Sequence, residues 1–243
     1  MSQTEHFDAI AGVYDRLRVP QTVTSTHELL VREGDLAGKR VVDIGCGTGA
    51  HASILARHFG CEMSGIDASE EMLAQARAKL PGADLRQGVA ERLPFADGMF
   101  DGALMLLVVQ HLDRPQAFAE ARRVLVPTGR ILITTTNPEA FPRFWMAPLF
   151  PSYVDVERGR FPSAVVLERE LAAAGFDSVR RIDHVVPRAF SREEALAKLR
   201  ERYASTFDLL DVREYEAGVA QAERELPETV EYALELLVLV ASR

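Results

Sequence analysis

The chain has 243 residues, of which 47% are apolar and 26% charged, and a net charge of -8 near neutral pH. That profile fits one large soluble α/β domain with its own core. With no run of five basic residues, it lacks the footprint of a nucleic-acid binder, and no apolar stretch approaches the ~20 residues that cross a bilayer.

Phe7, Ile10, Ala11, Tyr14 and Leu17 recur at helical spacing, so the chain is expected to open with an amphipathic helix, interrupted at Pro20. A short helix is expected over 25–33. From residue 39 strands and helices alternate, with strands expected over 39–44, 61–66, 83–88, 100–107 and 129–135, and helices over 49–59, 69–80 and 115–125. Alternation of this kind predicts a parallel sheet covered by helices on both faces. After Thr136 the pattern breaks: Pro138, Pro142, Pro148, Pro151 and Pro162 are interleaved with Phe141, Phe144, Trp145, Phe150 and Tyr153, which reads as a loop or broken helix. A helix follows over 163–174, ended by Gly175. A sixth strand is expected over 177–186, helical patterns over 192–203 and 212–226, and a final strand over 232–241. The helical patterns of 191–228 read equally as a lid or as a dimer contact.

Only two cysteines occur, Cys46 and Cys61. At the exit of one strand and the entry of its parallel neighbour they would lie about 15 Å apart at ~3.3 Å per residue, beyond disulfide reach. With no signal-peptide pattern in the polar first residues, the expectation is a reduced, cytoplasmic protein. Two thiols are also too few for a structural zinc cluster, and no metal is expected.

The segment Val41-Val42-Asp43-Ile44-Gly45-Cys46-Gly47-Thr48-Gly49 is the most informative. A buried strand runs through a glycine-rich turn into a helix N-terminus, which makes a nucleotide-sized cradle. Its spacing is G-x-G-x-G rather than the G-x-G-x-x-G of dinucleotide sites, and no Gly-Lys-Ser/Thr follows. Asp43 would repel a pyrophosphate and suit an ammonium group. These residues favour a nucleoside with a cationic tail over NAD(P), which an oxidoreductase would use.

This segment resembles the first motif of class I S-adenosylmethionine (SAM) methyltransferases. Gly65 to Ser69, Gly88 to Phe95, Phe100 to His111 and Gly129 to Ile133 are similar to the later motifs of that family, in its order. The likeness covers roughly residues 37 to 136 and is greatest to the small-molecule enzymes that include the ubiquinone and menaquinone C-methyltransferases. It implies a Rossmann-like doubly wound sheet of about seven strands, mostly parallel with the last antiparallel, plus a helical lid and insertion. In those terms 1–243 is one domain, with an N-terminal lid over 1–36, a cofactor core over 37–136, a Pro/aromatic loop over 137–162 and an inserted helical segment over 191–228.

The resemblance also assigns roles. SAM is the implied cofactor and S-adenosylhomocysteine (SAH) the product. Asp43, with Gly45, Gly47 and Gly49, would hold the methionine end, Asp43 accepting from turn amides; it could also simply cap the helix behind it. Asp67 and Ala68 would meet the ribose, and Asp67 lies 18 residues past Gly49, near the ~20 expected. Met72 would pack on adenine or sit in the core. Where the family often has an acidic residue, this chain has Val89, so Ala90 or Glu91 must read the adenine edge. Met105 and Leu106 would line the cofactor through their backbone. His111 stands where a general base would face an acceptor, or it packs a loop. Tyr14 would approach both cofactor and acceptor, Arg18 would join it, and Arg143 and Trp145 would overlie the acceptor.

The implied activity is methyl transfer to an O, N or C nucleophile of a small, partly apolar molecule. A SAM- or SAH-binding protein without turnover, and an RNA or protein methyltransferase, are the competing readings. Asn137-Pro138 follows the fifth strand and precedes Glu139, so it reads as a turn rather than the motif of amino-directed nucleic-acid enzymes.

Overall fold

The computed structural model describes residues 3–18 and 22–243, with the side chains of Gln3, Thr4, His6, Val13, Leu17 and Arg18 outside the description. The interruption expected at Pro20 lies outside the described residues. The elements run α1 (Gln3–Arg18), α2 (Ser25–Gly34), β1 (Arg40–Ile44), α3 (Ala50–Phe59), β2 (Glu62–Asp67), α4 (Glu70–Lys79), β3 (Asp84–Gln87), β4 (Phe100–Leu106), α5 (Arg114–Val124), β5 (Leu125–Thr136), α6 (Tyr153–Arg160), α7 (Ala164–Ala173), β6 (Asp177–Ser191), α8 (Arg192–Arg200), α9 (Val212–Glu225) and β7 (Thr229–Ser242).

One seven-stranded sheet has the order β3-β2-β1-β4-β5-β7-β6. The first five strands are mutually parallel, and β7 runs antiparallel to both neighbours, β5 and β6. The chain order reverses between β1 and β4, and in such sheets ligands bind at the carboxyl ends of the strands flanking that reversal. Successive residues feed opposite faces. Val42, Met105, Ile133 and Leu239 pack under α5 and α7 with Phe118, Leu167 and Leu171. Their neighbours Val41, Leu104, Leu132 and Val238 pack under α2 and α3 with Leu30 and Leu55. A sheet buried on both faces has strands that read as continuous apolar runs, as Ala103 to Leu106 of β4 does.

Two strands depart from expectation. β5 begins at Leu125, directly after α5, because Leu125 pairs with Phe100 before a register shift carries the ladder to Gly102 and Arg130. β6 continues to Ser191 and β7 begins at Thr229, the two pairing from Asp177↔Ser242 to Ser191↔Thr229. Pro187 does not end β6, since an edge strand tolerates a residue without an N–H. The long β6–β7 pair therefore carries 192–228 at its tip as an outlying helical unit. The segment expected as a loop or broken helix is the latter: a short 3-10 helix, Pro138–Arg143, and then α6. Asn137 is indeed a turn residue, its Oδ1 accepting from the Glu139 N–H at 3.1 Å.

These pieces share a third cluster built from Phe141, Met146, Phe150, Leu199, Tyr203 and Phe207. Phe150 stands 5.4 Å from Phe207 and 6.3 Å from Tyr215, ring to ring. Gly218 of α9 lies against it, and a Cβ there would overlap the Phe150 ring and come 2.6 Å from the Leu149 carbonyl. Overpacking of that kind costs roughly 1–3 kcal/mol. Gly218→Ala is expected to lower the unfolding free energy by about that amount in urea titrations; an unchanged midpoint would show that α9 is not tightly seated.

Candidate functional site

The turn between β1 and α3 is fixed by its amides. Gly45 and Cys46 donate to the Ile66 carbonyl at 2.8 and 3.0 Å, and Gly49 to that of Cys46 at 2.9 Å. The Gly47 N–H donates to Asp67 Oδ2 at 2.7 Å, while Asp67 Oδ1 accepts from Ser69 N–H at 3.0 Å. Gly45, with φ 78°, has a left-handed backbone, and a Cβ there would lie 2.6 Å from Val108. Gly47, with φ 52°, opens onto space free of protein atoms within 4 Å of its missing Cβ.

Asp43 corrects the expectation that it would hold turn amides, because those amides are taken by Ile66, Cys46 and Asp67. Its carboxylate is buried, with Oδ1 lacking a hydrogen-bond partner. Burial, and then the charge of Asp67, push the Asp43 carboxyl up to about 7. Burial also raises Asp67, against the lowering effect of the amides of Ser69, Gly47 and Ala68.

A cavity of about 240 Å³ lies beside the turn. Of the residues expected at the cofactor, Gly45, Asp67, Ala68, Ala90 and Glu91 line it. Val89 lines it too, half-exposed, and Glu91 Oε1 accepts from the Asp113 N–H at 2.8 Å. Met72 does not reach this wall: it is buried in α4, where its N–H bonds the capping Ser69 hydroxyl at 3.1 Å. The side chain of Met105 packs into the core and that of Leu106 against the opposite face, which leaves only their backbone to face a cofactor. The walls take Leu107 and Val108 instead. Leu107 holds φ 56°, a left-handed conformation uncommon for a branched residue and one that turns the chain out of the sheet. The strand ends at Leu106, one residue before the end expected from the sequence, and nothing in Leu107's identity signals the turn.

A second cavity, of about 320 Å³, is walled by aromatic rings including Tyr14, Phe141, Phe144, Phe190, Tyr203 and Tyr232. His111 and Phe7 line both cavities, and their rings meet edge-on at 5.6 Å. Two expected acceptor residues fall elsewhere. Arg143 pairs with Glu235 at 2.8 Å and is largely exposed; Trp145 is buried against Phe190 at 5.2 Å. Neither lines the cavity, because the 3-10 turn rotates Phe141 and Phe144 inward in their place. The side chain of Arg18 lies outside the described residues. Arg188, Phe190, Lys198 and Tyr203 were missed, since their strand and helix join the cavity only through the extended β6.

α1 is clamped over the turn. Asp15 accepts from the Thr48 hydroxyl and from Lys79 Nζ at 2.6 Å, and Lys79 also donates to the Thr48 carbonyl at 2.7 Å. Behind α3, the Thr24 N–H donates to His27 Nδ1 at 3.1 Å, so His27 Nε2 carries the proton and donates to His51 Nδ1 at 3.0 Å. Burial lowers both imidazoles to about 4, keeping the pair neutral at the mouth of α3.

Residues 42–133 match the family described as a methyltransferase domain. The O-methyltransferase resE of Aspergillus sclerotiorum is 36% identical over 138 residues, which are 51% of this chain and 52% of that protein. The ubiquinone/menaquinone biosynthesis C-methyltransferase UbiE of Desulfotalea psychrophila is 32% identical over 142 residues, 55% of this chain and 58% of its own. Over residues 42–133, then, the chain carries a domain of the methyltransferase family. In fold it is similar to an Anabaena variabilis protein described as a methyltransferase of an antibiotic biosynthesis pathway, with a TM-score of 0.73 at 21% identity, covering 93% of this chain and 99% of that one. The chain spans about half the length of the first of these curated methyltransferases.

The residues beside the glycine turn fit SAM. Asp67 retains lone pairs for ribose hydroxyls after accepting two amides. The orphaned Asp43 oxygen lacks the donor that an ammonium group provides. A pyrophosphate would meet two carboxylates instead. No helix among the described residues is long and apolar enough to cross a membrane, and no group of three His, Cys, Asp or Glu among them could hold a metal ion.

Two outcomes follow from Asp43 and Gly47. A carboxyl raised from 3.8 to about 7 binds more protons folded than unfolded, so its contribution to stability falls as pH rises from about 4 to about 7. A bound ammonium favours the ionised form, so SAM affinity is expected to rise across pH 6–8 with proton release, and Asp43→Asn to flatten both trends. Calorimetry in buffers of different ionisation enthalpy reads this; pH-independent affinity in the parent chain refutes it. Gly47→Arg, at a left-handed position in the cradle, is expected to lower SAH affinity at least ~100-fold, about 2.7 kcal/mol.

Proposed function

We propose that the protein transfers the methyl group of SAM to an O, N or C nucleophile of a small, partly apolar molecule, leaving SAH. The observation that carries this reading is the shared wall: His111 and Phe7 border both the cavity beside the glycine turn and the aromatic cavity. SAM, when bound, supplies a methyl on a sulfonium, which an acceptor lone pair displaces in line while sulfur keeps the electrons of the broken C–S bond.

The chain's residues supply position, dryness and a base. The glycine turn and Asp43 anchor the methionine end, and Asp67 and Ala68 the ribose. Ala90 and Glu91 face the base, with Val89 as an apolar platform. The aromatic walls hold the acceptor and exclude water, which raises the effective concentration of the reacting pair. Tyr14 and Phe7 reach the junction from α1, so residues 1–36 serve as a lid, and 191–228 close the far side. The His111 imidazole takes the proton of an acceptor hydroxyl or amine as the new bond forms. A net charge of -8 supports a small molecule over a nucleic acid, and two buried, free thiols support a reducing, cytoplasmic setting.

Calorimetric titration with SAM and SAH, with NAD as control, tests the cofactor; micromolar SAM or SAH binding without NAD binding is expected. Transfer of labelled methyl across an acceptor panel then tests turnover. Binding without transfer would favour a sensor that has lost catalysis, and NAD binding alone would overturn the reading. With an active acceptor, His111→Ala is expected to lower kcat by ~10² or more; full turnover at every pH would leave proximity as the sole source of rate.

A further inference from the structure

The wall of the aromatic cavity runs against the charge of the whole chain. The protein is net acidic, yet the charged side chains here are Arg16, Arg160, Arg188 and Lys198 against Glu157 and Glu194. Most of these have visible partners. Arg160 donates to Glu157 at 2.9 Å and to the hydroxyls of Thr206 and Ser205 at 3.0 and 2.8 Å. Arg16 pairs with Glu201 at 2.8 Å. Glu194 accepts from the Ser191 N–H at 2.8 Å, capping α8. The Lys198 ammonium lies 5.2 Å from the Tyr203 ring centre and 5.7 Å from that of Phe190.

Arg188 differs. Half-buried on β6 opposite Tyr232 of β7, it makes no hydrogen bond, ion pair or ring contact among the described residues. Its field reaches the imidazoles of His27 and His51 and helps keep them neutral. With no carboxylate beside it, the planar fork of this half-exposed guanidinium is left open to two oxygens of a carboxylate or phosphate. The rings beside it, Phe190 and Tyr232, stand 5.6 Å apart, offering faces to an apolar or aromatic body.

We propose that this cavity takes an acceptor with an anionic oxygen group, a carboxylate or phosphate, held by Arg188 while its apolar body lies against Phe190 and Tyr232. The proposal rests on the methyltransferase reading for calling the ligand an acceptor. The same chemistry could come from the carboxylate of the cofactor, so the test separates the two sources.

The probes are 2-naphthoate, 2-naphthyl phosphate and neutral 2-naphthamide, titrated calorimetrically into the protein alone and into protein saturated with SAH. At least one anion is expected to bind ~10-fold or more tightly than the amide. Arg188→Gln is expected to erase that preference and Arg188→Lys to restore part of it, with SAH affinity in both within roughly threefold of the parent chain. The comparison of anion with amide in the parent chain needs no variant. Equal binding of anion and amide, no saturable binding of any probe, or a preference that survives Arg188→Gln overturns the proposal. A tenfold loss of SAH affinity in Arg188→Gln with anion preference intact assigns Arg188 to the cofactor carboxylate and overturns it too. Failure of SAH itself to bind would count against the methyltransferase reading, while the titrations without SAH would still decide the anion site.

Discussion

Everything at this site depends on how the chain leaves β1. Between Ile44 and Ala50 it must turn from the centre of the sheet into α3 while keeping its backbone accessible. Positive φ at Gly45, Gly47 and Gly49 makes this possible. The amides freed by the turn find partners on β2 and its exit, at Ile66 and Asp67. The turn and Asp67, the acidic residue that ends the next strand, are therefore one unit, and the cavity beside them inherits its shape from both. The cost falls on Asp43, left buried with an unsatisfied oxygen and a raised affinity for its proton.

On the acceptor side the fold works by a different logic. Sheet and helices leave the far side of the cavity open, and an outlying helical unit closes it. That unit is joined to the 137–162 segment through aromatic packing of Phe150 on Phe207 and through the buried Glu157, which takes hydrogen bonds from Arg160 and Thr206. α1 spans the gap between the two halves, tied to the turn through Asp15, Thr48 and Lys79 and to the end of α8 through Arg16 and Glu201. The two cavities thus meet under a helix anchored on both sides.

The legible parts of the sequence were those under local constraint. Val41 to Gly49 could be read because a strand, positive φ and a helix start each restrict residue type within a few positions. Asp67 followed from its spacing to that turn. What escaped reading was set by distant contacts. Arg188 and Phe190 become cavity wall only because β6 continues past Pro187, which is permitted by its place at the edge of the sheet. Trp145 is expected over the acceptor from its place in the Pro/aromatic loop, yet packing turns it toward Phe190 and sends Phe141 and Phe144 inward. Arg143 was drawn to Glu235 on β7, a partner 92 residues away. Leu107 adopts its left-handed turn for reasons of the strand's exit that its side chain does not advertise.

The edge that lets β6 run long would also be a liability. Its outer side pairs with no strand of this sheet, and fifteen residues of open backbone are a template on which another chain could grow. Three features blunt it. A bulge at Asp177–Arg180, with Ser178 at φ 52°, twists the start of the strand. Arg180, Arg181 and Asp183 place exposed charge along it. Pro187 removes a donor from its middle. The sheet is thereby discouraged from propagating between molecules, so the same edge position that lets β6 run through Pro187 to form the cavity wall also uses that proline to guard the strand.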